Sequence, residues 1–180
     1  MNDGLRFADL FAGIGGFRYA FEAAGCKCIW ACEIDKFARH TYSVNHMGEE
    51  LHWRDHDKHR YHPHFAADVR DVDAKHIPDF DILAAGFPCP TFSIAGVSKR
   101  NSLGWKHGLD DEEKGQLFFE IVRIIDEKKP AAFLLENVKH LIYHKGGKTF
   151  TYMLRVLRED LGYEPVTWKL FDAAKLVPQH

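Results

Sequence analysis

At 180 residues, 46% of them hydrophobic, the chain is long enough to bury the core of one domain. Its formal net charge of -2 excludes an identification by bulk charge as a polyanion binder, although a weakly acidic whole can carry a basic groove on one face. No apolar run reaches the roughly 20 residues that cross a bilayer, and the N-terminus lacks a basic segment followed by an apolar stretch and a cleavage site, so the reading is a cytoplasmic globular protein.

In chain order, Leu5 to Leu10 predicts a first strand, followed by the loop Phe11-Ala12-Gly13-Ile14-Gly15-Gly16 and a helix to about Ala24 that Gly25 stops. A second strand, about Lys27 to Cys32, ends at Glu33 and leads to a helix from about Asp35 to Asn45. The polar stretch His46 to His64 separates it from a short third strand before Asp68; Phe80 to Ala85 is the fourth. A loop from Ser93 to about Gly115, rich in Gly, Ser, Lys and His, has the length of a functional lid. The next helix carries Leu117, Ile121, Ile124 and Ile125 on one face; a fifth strand, Ala132 to Glu136, follows. A helix around Lys148 to Leu161 and a last strand, Val166 to Phe171, complete the pattern. Alternation of strands and helices predicts an α/β fold, a mainly parallel sheet with helices on both faces.

Cys26, Cys28 and Cys32 lie in or beside one strand without a C-x-x-C pair and read as small core hydrophobes, with no disulfide. His46, His52, His56, His59, His62 and His64 are irregularly spaced in polar sequence and read as a solvated loop, so no metal site is expected. Cys89 differs. Between Pro88 and Pro90, just past an apolar strand, it is held on a stiffened loop at the sheet edge where open α/β folds bind ligands, a candidate nucleophile.

The glycines of the first loop let a ligand lie against backbone at a helix N-terminus. Glu33 at the end of strand two is placed for ribose hydroxyls, and Asp68 and Val69 after strand three for an adenine. The spacing Gly13-x-Gly15-Gly16 lacks the third glycine of a dinucleotide loop and disfavours a pyrophosphate, which leaves S-adenosylmethionine as the better fit. Glu136, ending the apolar run Phe133-Leu134-Leu135, is read as a desolvated carboxylate with a raised pKa sharing the crevice with Cys89.

Taken together, Asp9-Leu10-Phe11-Ala12-Gly13-Ile14-Gly15-Gly16-Phe17, Gly86-Phe87-Pro88-Cys89 with Phe92-Ser93, Gly115-Gln116-Leu117-Phe118-Phe119, Glu136-Asn137-Val138 and Pro178-Gln179 stand in the order seen in DNA cytosine-5 methyltransferases. The resemblance covers essentially the whole chain and is nearest to the bacterial, CCWGG-methylating branch, of restriction-modification or orphan type. It implies a Rossmann-like methyltransferase fold represented by its N-terminal catalytic portion, incomplete at the C-terminus, with the target-recognition region absent. It also implies S-adenosylmethionine as cofactor, S-adenosylhomocysteine as product, double-stranded DNA as partner and a nucleoid-associated location. Cys89 would add to carbon 6 of a flipped-out cytosine, Glu136 would protonate the ring nitrogen, and Asn137 would order that loop. Asp9, Phe11, Ala12, Gly13, Gly15, Gly16, Glu33, Ile34, Asp68, Val69 and Leu117 would form the cofactor site. Ser93, Lys99, Arg100, Lys106 and Gln179 would contact DNA.

The sequence departs from the family pattern at three places. Pro90 replaces the usual glutamine, Ile34 stands where an aromatic often packs on adenine, and Pro178-Gln179-His180 lacks the arginines that normally follow. These leave open a non-catalytic cofactor- or DNA-binding piece of a split or decayed enzyme, rescued by a C-terminal complementing chain, and a transfer-RNA cytosine-5 methyltransferase.

Overall fold

The computed structural model describes residues 4–48, 64–88 and 116–175 and divides into two compact units, Met1–Asn137 and Val138–His180. In the first, β1 (Arg6–Leu10), α1 (Gly16–Ala23), β2 (Lys27–Cys32), α2 (Lys36–His46), β3 (Phe65–Ala66), β4 (Ile82–Gly86), α3 (Gln116–Lys128) and β5 (Ala132–Glu136) follow in order. The strands form one parallel sheet ordered β3-β2-β1-β4-β5. The order runs outward from β1 to β3 and then reverses to β4 and β5. Because parallel crossovers are right-handed, α1 and α2 cover one face and α3 the other, and the reversal opens a crevice at the carboxyl ends of β1 and β4.

Packing explains the strands. Leu10, Leu83, Ala84 and Ala85 are fully buried in the two central strands, as near-continuous apolar runs require when both faces are covered. On α1, Phe21 stacks on Phe7 of β1 with ring centroids 5.0 Å apart. On α3, Ile121, Val122, Ile124 and Ile125 are fully buried, while Lys128 Nζ donates to Lys75 O at 3.3 Å and to Asp79 at 3.1 Å. The apolar face anticipated for that helix is the one that packs.

The second unit is smaller. A short turn, Lys139–Ile142, precedes α4 (Lys148–Arg155), which runs on through a wide turn over Val156–Asp160. Leu141, Met153, Val156, Leu157 and Val166 are buried within the unit, and the rings of Phe150 and Trp168 meet edge-on at 5.3 Å.

Two expectations are corrected. Val166 to Phe171 is not a strand. Its apolar residues alternate, but a strand exists only when a neighbour accepts its ladder, and among the described residues none does. Trp168, Leu170 and Phe171 accordingly stay exposed. β5, read as a buried apolar strand, has Ala132, Leu134 and Glu136 exposed, because among the described residues it pairs with β4 alone.

A candidate cofactor and catalytic site at the sheet edge

The site begins where β1 ends. Phe11 takes a left-handed conformation, φ 55°, unusual for a residue with a Cβ, and Gly13 and Gly15 follow with φ 55° and 98°. Three positive φ values in five residues fold the chain back on itself. Gly15 N donates to Ala12 O at 2.8 Å and Ala12 N to Cys32 O at 3.0 Å, so the loop is hung from the end of β2. Ala12 is buried against Ala31, Tyr42 and Phe65. Around Gly13 and Gly16 the space that a Cβ would occupy is open, whereas at Gly15 it is filled.

Glu33 closes the loop from the next strand. Its Oε2 accepts from Gly13 N at 2.8 Å and its Oε1 from Asp35 N at 2.7 Å, which leaves a lone pair on each oxygen for further donors such as ribose hydroxyls. Asp35 caps α2 by accepting from Phe37 N and Ala38 N, and Arg39 Nη1 donates to the carbonyls of Glu33 and Ile34. Ile34 itself is exposed. Glu33 N also donates to Ala66 O at 3.1 Å, which brings the end of β3, and Asp68 after it, to the same edge. The Asp68 carboxylate caps its own turn, accepting from Arg70 N at 3.0 Å, and pairs with the Arg70 guanidinium. Val69 is buried, with its carbonyl accepting from Arg123 Nη2 at 3.1 Å. Leu117 lies half-buried in the first turn of α3.

Asp9, on β1 below the loop, is fully buried. Among the described residues neither carboxylate oxygen has a hydrogen-bond partner. Burial pushes its pKa up to about 7; the Arg18 guanidinium opposes the rise and the Glu33 carboxylate adds to it. A buried acid with no partner beneath an open glycine loop is an orphan that a cationic ligand group can satisfy.

The second half of the site lies at the ends of β4 and β5, where Gly86 is in register with Glu136. A Cβ on Gly86 would lie 3.4 Å from both Glu136 Oε2 and the Phe17 ring, so the carboxylate and that ring flank Gly86 closely. Asn137 Nδ2 donates to Phe87 O at 2.7 Å, tying the segment that leads into Cys89 to the end of β5. The desolvation expected of Glu136 is not found: with β5 on the open edge its carboxylate is exposed. Cys89, Ser93, Lys99, Arg100, Lys106 and Gln179 lie outside the described residues. Among those described, Cys26, Cys28 and Cys32 are free thiols, and no group of three or more His, Cys, Asp or Glu side chains is placed to hold a metal.

His46 was missed in the sequence. Read as part of a solvated stretch, it is the last residue of α2 and packs its ring against Gly15. The signal available was spacing: His46 follows Tyr42 by one helical turn, and Tyr42 is fully buried.

A sheet that reverses between β1 and β4, a glycine loop at that edge, and acids after the next two strands define a Rossmann-like α/β protein. The chain belongs to the C-5 cytosine-specific DNA methylase family, whose model matches residues 5–180. It is 43% identical to the DNA-cytosine methyltransferase of Escherichia coli K12 over 200 aligned positions, covering 98% of this chain and 40% of that protein. It is 47% identical to the type II methyltransferase M1.ScrFI of Lactococcus lactis subsp. cremoris, covering 93% and 37%. The chain thus spans about two fifths of the length of these relatives. In fold it resembles the S. pombe Dnmt2 methyltransferase, with TM-score 0.53 and 23% identity over 84% of this chain and 41% of that one. A prophage-encoded DNA modification methyltransferase of E. coli gives TM-score 0.56 and 23% identity over 86% and 38%. Family and fold are those of S-adenosylmethionine-dependent methyltransferases. Among the described residues no helix is long and apolar enough to cross a membrane.

Proposed function

We propose that the chain is the catalytic and cofactor-binding portion of a DNA cytosine-5 methyltransferase that takes S-adenosylmethionine and double-stranded DNA. The observation that carries this reading is the convergence at one sheet edge of the glycine loop, the Glu136 carboxylate and, through the Asn137 to Phe87 hydrogen bond, the segment leading into Cys89. The residues present fit the cofactor: open space at Gly13 and Gly16, lone pairs on Glu33, and the orphaned Asp9. Phe11, Ala12, Gly13, Gly15 and Gly16 would hold the methionine end with Asp9 behind them. Glu33 would take the ribose; Ile34, Asp68, Val69 and Leu117 would surround the base. When bound, the cofactor supplies an electrophilic methyl group on a sulfonium.

The protein's own part is to make a cytosine carbon nucleophilic. A base stacked in a duplex hides carbons 5 and 6, so the target is flipped out. The Cys89 thiolate then forms a bond to carbon 6 while the ring π electrons move toward carbon 5, and Glu136 donates a proton to the ring nitrogen beside the amino group, so no negative charge accumulates on the ring. After methylation at carbon 5, the carbon 5 proton passes to water, the electrons of that bond re-form the carbon 5–carbon 6 double bond as the thiolate leaves, and the ring nitrogen returns its proton to Glu136. Asn137 holds the Phe87 carbonyl and so the approach of Cys89; Ser93, Lys99, Arg100, Lys106 and Gln179 are assigned to DNA contacts.

The test is transfer of tritiated methyl from S-adenosylmethionine to duplex DNA, by this chain alone and with the remaining length of a relative supplied in trans, each beside a Cys89→Ala control. Label that disappears in the control is the expected result. Equal labelling by the Ala variant refutes the assignment, and label in RNA in place of DNA redirects it.

A further inference from the structure

Between α1 and α2 lies a group of polar and aromatic side chains that the chemistry above does not use. The His46 ring sits edge-on to Tyr19 at 4.4 Å and tilted against Tyr42 at 4.9 Å. A Cβ built on Gly15 would fall 2.1 Å from its Nε2, 2.6 Å from Cδ2 and 3.1 Å from Cε1, so the imidazole lies flush against the backbone of the loop. Nε2 is buried and, among the described residues, has no hydrogen-bond partner. Arg18 fixes the frame around it: Nη2 donates to His46 O at 3.0 Å, Nη1 to Tyr42 OH at 3.4 Å, and Nε to Glu22 at 2.8 Å. The guanidinium thereby joins the two helices on either side of the ring.

What it presses on is the residue that sets the loop. Gly15 caps α1 with φ 98° and ψ 32°, donates to Ala12 O and accepts from Tyr19 N. A glycine alone is free over a wide range of such angles. Its two backbone hydrogen bonds narrow that range, and the ring of His46 packs against it as well.

We propose that His46 is a positioning residue for the cofactor loop, its neutral ring wedged between Tyr19 and Tyr42 so as to hold Gly15 in the conformation that opens the loop to an adenosine cofactor. The inference rests on the cofactor reading given above. The charged and titratable groups facing the ring are Arg18, Tyr19 and Glu22 from α1 and Tyr42 from its own helix. Burial first, and then the Arg18 guanidinium, hold the imidazole below the ordinary histidine range, against the Ile14 backbone and Glu22, which favour the charged form. The ring is neutral at pH 7, and acidification places a second positive charge beside Arg18 and pushes it out.

Two readouts test this on the full chain: the hydrogen-exchange protection factor of the Gly15 amide in the cofactor-free protein, and calorimetric titration with S-adenosylhomocysteine. His46→Ala is expected to lower both by about tenfold or more, and His46→Phe, which keeps a flat ring in the wedge, to restore most of the loss. In the wild type both fall on acidification below the ordinary histidine range; in His46→Phe they do not. Wild-type protection and affinity in His46→Ala overturn the proposal. Should that variant fail to fold, parallel acid profiles of wild type and His46→Phe overturn it equally. If the wild type binds no S-adenosylhomocysteine while Gly15 protection responds as described, the cofactor reading falls and the brace on the loop stands.

Discussion

The two ends of the crevice are built to different degrees. At β1 and β2, every turn of the loop is held by a contact from a neighbouring element: Cys32 O on Ala12, Glu33 on Gly13, His46 on Gly15. At β4 and β5, the Asn137 to Phe87 hydrogen bond links two strand ends, and Glu136 stands exposed on an outer strand. Cofactor recognition can be set in advance by local covalent order, since strand one, loop and strand two are consecutive in the chain. The electrostatics of base activation depend on what covers β5, because removing water from a carboxylate favours its protonated form.

The sharpest way to break this comparison is at the exposed end. Glu136→Gln removes the proton but keeps shape and hydrogen bonding, and in a complex that methylates DNA it should lower kcat by about 10²- to 10⁴-fold, the usual range for a positioned general acid, with cofactor affinity unchanged. Single-turnover methyl transfer measures it. A loss confined to cofactor KM would put Glu136 with the loop and undo the division between the two ends.

The next effect lies at the built end and is a pH dependence. Asp9 has a folded pKa of about 7 against an ordinary 3.8. A raised acid binds more protons folded than unfolded, so its stabilising effect is complete below about pH 4 and is lost as pH rises through about 7. A shift of about three units corresponds to about 4 kcal/mol. Urea unfolding of the cofactor-free chain should show stability falling across that window, and Asp9→Asn should flatten it. A wild-type profile already flat there would mean that Asp9 has a partner.

Much of this was legible in the sequence, and the failures share one cause. β2 and β5 occupy the spans their apolar runs predicted, Lys27–Cys32 and Ala132–Glu136, because strand propensity and glycine stops are local. Glu33 and Asp68 stand just past the ends of β2 and β3, as expected, because strand-end positions in an α/β pattern are themselves local. Val166 to Phe171 alternates as a strand should, yet has no ladder among the described residues. Glu136 ends an apolar run, yet is exposed, because β5 is paired on one side. His46 looked solvated in a polar stretch because its partners, Gly15 and Tyr19, lie far back in the chain. What a residue is covered by is a nonlocal fact, and it decided each of these cases.

Within the loop, two glycines of similar backbone type separate conformation from contact. Gly15→Ala meets both a left-handed φ and the His46 ring 2.1 Å from its Cβ; the two costs together come to about 2–5 kcal/mol. Gly13→Ala, with nothing within 4 Å of its Cβ, should cost only the conformational part, about 1–2 kcal/mol. Chemical denaturation of both variants gives the difference. Equal losses would mean that the ring moves aside at no cost and that the loop is held by its own hydrogen bonds.

The smallest effect in stability tests the Asn137 to Phe87 hydrogen bond. Asn137→Ala deletes a hydrogen bond from an amide to a carbonyl, worth about 1 kcal/mol, and Phe87 O is left next to solvent-exposed Pro88, where water can replace the lost donor. The unfolding midpoint should therefore hardly move. Methyl transfer should move more, by about tenfold in kcat, because the Phe87 carbonyl is two residues from Cys89 and a small loosening there displaces the nucleophile from its line of approach. A variant whose stability and rate fall in proportion would show that Asn137 only holds the strand ends together; a fall in rate alone shows that the open end, sparsely tied as it is, is ordered for catalysis.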